Sequence, residues 1–104
     1  TGRSTTIVIT IDQIKRVVAE HFHIPPVDII SKKRTRQLAS ARQIAMHLAR
    51  ELTSSSLPEI GRAFGGRDHT TVLHACETVK KRLSTDPSTA QHVEQLLLLF
   101  PSQL

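Results

Sequence analysis

Apolar residues recur along this chain at steps of three and four, and no stretch reads as a strand. The first periodic segment holds Ile11, Ile14, Val18 and Phe22 and predicts a helix running to His23. Thr10 with Gln13 has the form of a capping box at its start, and Ile9 and Ile14 stand at the staple positions. Pro25 and Pro26 stop that helix and leave VDII, 27–30, as a short apolar turn. The longest stripe, Leu38, Ala41, Ala45, Leu48 and Leu52, predicts a helix from Arg36 to Leu52 with Arg42, Gln43, His47 and Arg50 on its polar side. Ser54, Ser55 and Ser56 break it. Ser56 with Glu59 forms a second capping box, opening a short helix whose core face is Ile60, Ala63 and Phe64 and which Gly65 and Gly66 end. Asp68 is suited to cap the next helix, which carries Val72, Cys76, Val79 and Leu83. Asp86 and Pro87 start a last helix with Ala90, Val93, Leu97 and Phe100 facing inward, closed by Pro101. The expected fold is all-α, a compact domain of five to six helices. Residues 1–8 read as a linker, 9–101 as one domain and 102–104 as a tail.

From Ser56 to Leu83 the order is short helix, glycine turn, longer helix with a polar amino end, which is the pattern of a helix-turn-helix. The apolar stripe of the second helix leaves His69, Thr70, Thr71 and His74 pointing outward. These side chains are short enough to let a helix approach a DNA groove. An aspartate can accept from cytosine N4, His and Thr can bond base edges or phosphate, and a Thr methyl can meet a thymine methyl. The amino end of a helix also favours an anion. The plainer alternative is an ordinary cap at Asp68 followed by ordinary first-turn threonines.

Charge changes that balance. Lys and Arg number 14 against 9 Asp and Glu in 104 residues, for a net charge of +5, which favours an anionic partner, nucleic acid before membrane surface. No acidic residue lies between Asp28 and Glu51, an interval that holds Lys32, Lys33, Arg34, Arg36, Arg42 and Arg50. Lys32 to Arg36 read as a loop able to follow a phosphate backbone or enter a minor groove. A merely solvated face is the alternative for a charge run taken by itself. Three Phe with no Trp or Tyr argue against a single-strand binder, which stacks bases on rings. The lone Cys76 excludes an intramolecular disulfide and reads as a small core residue. With no apolar run approaching a bilayer span, the expected setting is cytoplasmic. Six His invite a metal, but His21 and His23 are two apart and His69 and His74 five apart, so neither pair shares a helix face at metal-ligand spacing. Adjacent Asp68 and His69 cannot form a catalytic relay with a serine, and no metal site and no catalysis are expected. Two other roles have some footing. Leu96 to Phe100 offers more apolar surface than one stripe hides and could meet a partner, and Lys15 and Arg16 could give the first helix a weak contact with acidic lipids.

The stretch LPEIGRAFGGRDHTTVLHA, with SKKRTRQLASARQIAMHLARELT before it, resembles the C-terminal DNA-binding domain of the bacterial replication initiator DnaA, over almost the entire chain. The resemblance implies an all-helical fold and double-stranded DNA as partner, bound at short DnaA boxes in the replication origin to help initiate replication. It places the minor-groove arginine on Arg34 and the major-groove readers on Asp68, His69 and Thr70, with Pro58 against a thymine methyl. Backbone contacts fall on Lys33, Arg36, Arg42, Gln43, Arg50 and Thr71. Glu77 and Thr78 depart from the family, many members of which carry a basic residue there. No cofactor is implied for this domain. ATP and self-assembly are implied only for the family's other modules, since no GKT or GKS follows a glycine loop here.

Overall fold

Side chains that close on the backbone two or three residues ahead start five of the six helices. The computed structural model describes residues 8–100 and consists of α1 (Ile11–His21), α2 (Pro26–Ile29), α3 (Arg36–Leu52), α4 (Leu57–Ala63), α5 (His69–Thr85) and α6 (Pro87–Leu97). Thr10 accepts from the Gln13 amide at 3.1 Å and Thr35 from Leu38 at 3.1 Å. Asp68 accepts from Thr70 at 3.0 Å and Asp86 from Ser88 at 3.1 Å. At Ser56 the box is reciprocal, the Ser56 hydroxyl accepting from Glu59 N at 3.2 Å and the Glu59 carboxylate from Ser56 N at 2.7 Å. Each of these bonds satisfies amides that a helix start leaves without a partner. The described residues form no strand, and the fold is all-α.

α3 lies between α1 and α5 and also touches α2 and α4. Its enclosure accounts for the first departure from expectation. An amphipathic helix shows one buried face, but α3 buries Ile44, Met46, His47 and Ala49 as well as the stripe around Ala41, Ala45 and Leu48. Arg42 and His47, expected on its polar side, are both only 6% exposed. Ile14, Val18, Ile29, Ile60, Phe64, Val72, Val79 and Leu96 complete one continuous core.

Three smaller differences follow from local chemistry. α1 ends at His21 rather than His23, because His23 takes a left-handed conformation at φ 57°. VDII is not a turn but most of the one-turn helix α2, which Pro26 starts at a first position needing no N–H. In α6 the buried leucine is Leu96, three residues after Val93, whereas Leu97 is 44% exposed. Residues 1–7 and 101–104, with most of the expected linker, Pro101 and the tail, lie outside the described residues.

Candidate nucleic-acid interface

α4, the segment Phe64–Arg67 and α5 form the expected helix-turn-helix. Gly65 and Gly66 carry φ values of 85° and 77°, a region that a residue with a Cβ enters only under strain. The turn is also built by contact. A Cβ on Gly61 would overlap the Arg67 carbonyl oxygen, while the Gly61 carbonyl accepts from the Arg67 amide at 2.8 Å. α4 and the start of α5 therefore approach backbone to backbone.

The amino end of α5 emerges into solvent. Asp68, His69, Thr70 and Thr71 are all exposed, and Val72 behind them is fully buried. Asp68 holds its carboxyl below the ordinary aspartate range, chiefly through the Thr70 hydroxyl and amide and in smaller part through nearby His69. Its Oδ1 lies 3.5 Å from His69 Nδ1. Asp68 is thus an ionised cap in the free protein, with one oxygen on the helix end and the other at the surface.

The basic loop sits beside that helix end. The Arg67 guanidinium donates through Nη2 to the Ser31 carbonyl at 2.7 Å and through Nη1 to the Phe64 carbonyl. Burial, and after it the neighbouring charge of Arg34, lowers the Arg67 pKa from its ordinary value. A Cβ on Gly65 would overlap the Ile30 carbonyl oxygen, so loop and turn touch along their backbones. Lys33 and Arg34 are exposed; Lys33 Nζ lies 3.5 Å from Asp28 Oδ1, and the Lys33 amide donates to Ser31 Oγ at 3.2 Å.

The remaining residues separate. Thr71 and the half-buried Gln43 line a groove between α3 and α5, together with Arg67 and His74. Arg36 is exposed at the start of α3 and faces a different cleft, shared with Phe22, Arg82 and His92. Pro58 is exposed in the first turn of α4. Arg50 is exposed near Cys76, fourteen residues along α3 from Arg36 and so about 21 Å from the loop end of that helix. Arg42 lines the same groove as Gln43 and Thr71 but is only 6% exposed, where an open polar face was expected. Its Nε donates to the Ile29 carbonyl at 2.8 Å, and its Nη2 to the Asp28 carbonyl at 2.8 Å and Ser31 Oγ at 3.2 Å. Burial and the Arg67 charge lower its pKa, Asp28 opposing them. The side chain holds the loop from beneath.

No group of three or more His, Cys, Asp or Glu placed to hold a metal occurs among the described residues. His21 Nε2 lies 3.0 Å from His92 Nδ1, joining α1 to α6, a pairing that sequence spacing does not reveal. Cys76 is buried, its thiol pushed up by burial. Lys15, offered above as a lipid contact, donates to the Ala63 carbonyl at 2.9 Å and pairs with Asp12 at 3.2 Å. The apolar face of α1 that a lipid surface would need, Ile14 and Val18, is inside the core. No described helix is long and apolar enough to cross a membrane.

Comparison with known proteins agrees with this geometry. A family model described as the bacterial dnaA protein helix-turn-helix matches residues 11–79. The chromosomal replication initiator protein DnaA of Symbiobacterium thermophilum is 58% identical over 89 residues, covering 86% of this chain and 19% of that protein. Those of Acinetobacter baylyi and Chromobacterium violaceum are 53% and 54% identical, with 90% and 88% of this chain and 20% of each relative covered. A crystal structure of a DNA replication initiation factor superimposes with a TM-score of 0.72 at 40% identity, over 83% of this chain and 26% of that one. The chain spans about one fifth of the length of these curated relatives, and the ATPase module of the family is not within it. The chain belongs to the bacterial DnaA family, as its helix-turn-helix portion.

Proposed function

We propose that this domain binds double-stranded DNA in the initiation of chromosomal replication, reading DnaA boxes with the amino end of α5 in the major groove and the 31–35 loop in the adjacent minor groove. One observation carries the reading: exposed His69 and Thr70 stand beside the exposed Arg34 loop, which Arg67 ties to the turn before α5. In this reading Asp68, His69 and Thr70 meet base edges, Pro58 packs on a thymine methyl, and Arg34 enters the minor groove. Lys33, Arg36, Gln43, Arg50 and Thr71 face phosphates. Arg42 can join that set only through Nη1, because its Nε and Nη2 donate inside the protein. The binding step takes no cofactor; ATP and self-assembly belong to modules outside this chain, and the setting is the cytoplasm, where the chromosome lies.

The test is a competition titration of a box duplex against a scrambled duplex across a salt series. A preference of at least about 10³-fold for the box, in line with specific DNA binders, is expected. Equal affinity would reduce the domain to a nonspecific cation. Association that grows with protein concentration and vanishes on Leu98→Gln would instead favour an interaction module built on Leu97, Leu98 and Leu99, which are 44%, 83% and 59% exposed.

A further inference from the structure

Arg67 is a cation of the turn whose donors face protein carbonyls. We propose that it is a positioning residue for base recognition: its forked guanidinium holds the loop carrying Arg34 at a fixed offset from the amino end of α5, so that one duplex meets both reading elements in register. This rests on the reading given under Proposed function.

The geometry has two independent parts. The fork joins points 36 residues apart in the chain, Ser31 and Arg67, and returns to Phe64 through its other nitrogen. Only one peptide bond separates Arg67 from Asp68, the cap of α5. Arg34 is only three positions from Ser31, a reach of at most about 10 Å in extended chain. Fixing Ser31 to Arg67 therefore confines Arg34 to a small volume beside α5. The second part is the contact of Gly65 with the Ile30 carbonyl, a seat that no larger residue permits and that leaves the Arg67 Nη1 2.9 Å from where a Gly65 Cβ would stand. Loop and turn are in backbone contact there, and the guanidinium closes over it.

Arg42 does a different job. It fixes Asp28, Ile29 and Ser31 to α3 and so shapes the loop's near end. Arg67 supplies the side-chain bond that links the loop to the turn before the reading helix, beside the Gly65–Ile30 backbone contact. A planar fork suits this task, since an ammonium cannot hold two carbonyls in a fixed plane. Without Arg67 the loop keeps its anchor on α3 and its charge, but Arg34 samples a wider volume. Ordering it on DNA then costs part of what its minor-groove contact contributes.

A double-mutant cycle on the chain as it stands separates this role from a simple contribution to folding or charge. The readout is the ratio of affinities for box and scrambled duplexes by fluorescence anisotropy, for wild type, Arg34→Ala, Arg67→Ala and the double variant, with thermal melting to establish that each is folded. Arg34→Ala is expected to lower the ratio about tenfold in the wild-type background. In the Arg67→Ala background the same change is expected to cost less than about twofold, its contribution having already been lost. An equal cost in both backgrounds overturns the assignment. If Arg67→Ala does not fold, Arg67→Lys carries the cycle. It keeps the charge and the stem and is expected to behave as the alanine, and wild-type coupling in Arg67→Lys likewise overturns the idea. A wild-type chain with no box preference removes the base-reading proposal and this one with it, whereas a clear preference with unchanged Arg34 cost removes this one alone.

Discussion

Arg42→Ala separates the surface role that spacing suggests from the internal role that the structure assigns. The wild-type side chain makes two bonds of 2.8 Å to the carbonyls of Asp28 and Ile29 and a longer one of 3.2 Å to Ser31 Oγ. Truncation leaves two acceptors short of a charged donor in a site where the residue is 6% exposed. Each of the two lost carbonyl bonds to a charged donor costs about 1–1.5 kcal/mol after water enters the gap, and the lost packing of the arginine stem adds about 1 kcal/mol, for a total of about 3–4 kcal/mol. For a domain of this size that corresponds to a fall in Tm of roughly 12–32 °C. Urea unfolding followed by circular dichroism measures the loss, and an unchanged m-value would confirm that the unfolded state is not what moved. The contrary reading, a phosphate contact on an exposed face, expects a stability change within about 0.5 kcal/mol and a salt-slope reduction of about 0.9. Native-like stability together with a lowered salt slope at a temperature where the variant is folded would refute the buried-clamp argument.

The other expectations are separable by simple measurements. Gly61→Ala, which in an ordinary helix gains about 0.5–1 kcal/mol, should instead destabilise by about 2 kcal/mol, because its Cβ meets the Arg67 carbonyl; a higher Tm would sink the close-approach account. Thr70→Ala and His69→Ala should leave Tm nearly unchanged and cost box preference about 1–3 kcal/mol each, read by competition titration; a preserved ratio would remove α5 from base reading. Asp68→Ala should do both, losing about 1 kcal/mol of stability with its cap as well as discrimination. Burial pushes His47 below the ordinary histidine value, and burial followed by the charges of His92 and His23 does the same for His21. Folded-state values below the unfolded value of about 6.5 mean that the unfolded chain takes up the protons first. Stability should therefore be complete above about pH 6.5 and fall as the pH drops below it. His47→Leu, which removes a buried Nδ1 with no partner, should flatten that acid loss without lowering Tm at neutral pH; an unchanged pH profile would count against it.

What was legible in the sequence is what depends on near neighbours. Caps at Thr10, Ser56, Asp68 and Asp86 act over two or three residues, and the limits of α3, Arg36 to Leu52, follow from its apolar stripe, though the Thr35 cap that starts it was not read. The polar amino end of α5 was legible too, since a helix start exposed to solvent shows its residue types directly. Arg42 and His47 were misplaced because a helix enclosed on several sides buries even its polar face, and enclosure depends on α1, α2, α4 and α5 together. Leu96 and Leu97 are adjacent in a run of four leucines, so the pattern alone does not choose between them. Arg67 drew no role at all. Its partners are backbone carbonyls, which leave no trace in side-chain pattern, and one of them is 36 residues away.

Net charge is consequently a poor measure of how many cations a duplex can meet. Of the six basic residues between Asp28 and Glu51, Arg42 spends its Nε and Nη2 donors inside the protein, Lys33 is partly paired with Asp28, and Arg50 stands well along α3 from the loop. Lys32 and Arg34 remain as exposed cations on the loop itself, with Arg36 exposed at the start of α3. The two arginines bonded to its carbonyls and to the residues before it, Arg42 and Arg67, are what give the loop a fixed address. A loop that sits against a helix end only by mutual attraction would be driven away from it by repulsion among its own like charges and from Arg67. Hydrogen bonds to neutral carbonyls avoid that conflict, because a carbonyl dipole attracts a guanidinium without adding a negative charge that would repel phosphate. Apart from the Asp68 carboxylate that caps α5, the interface can therefore stay positive toward its partner while being held together by cations.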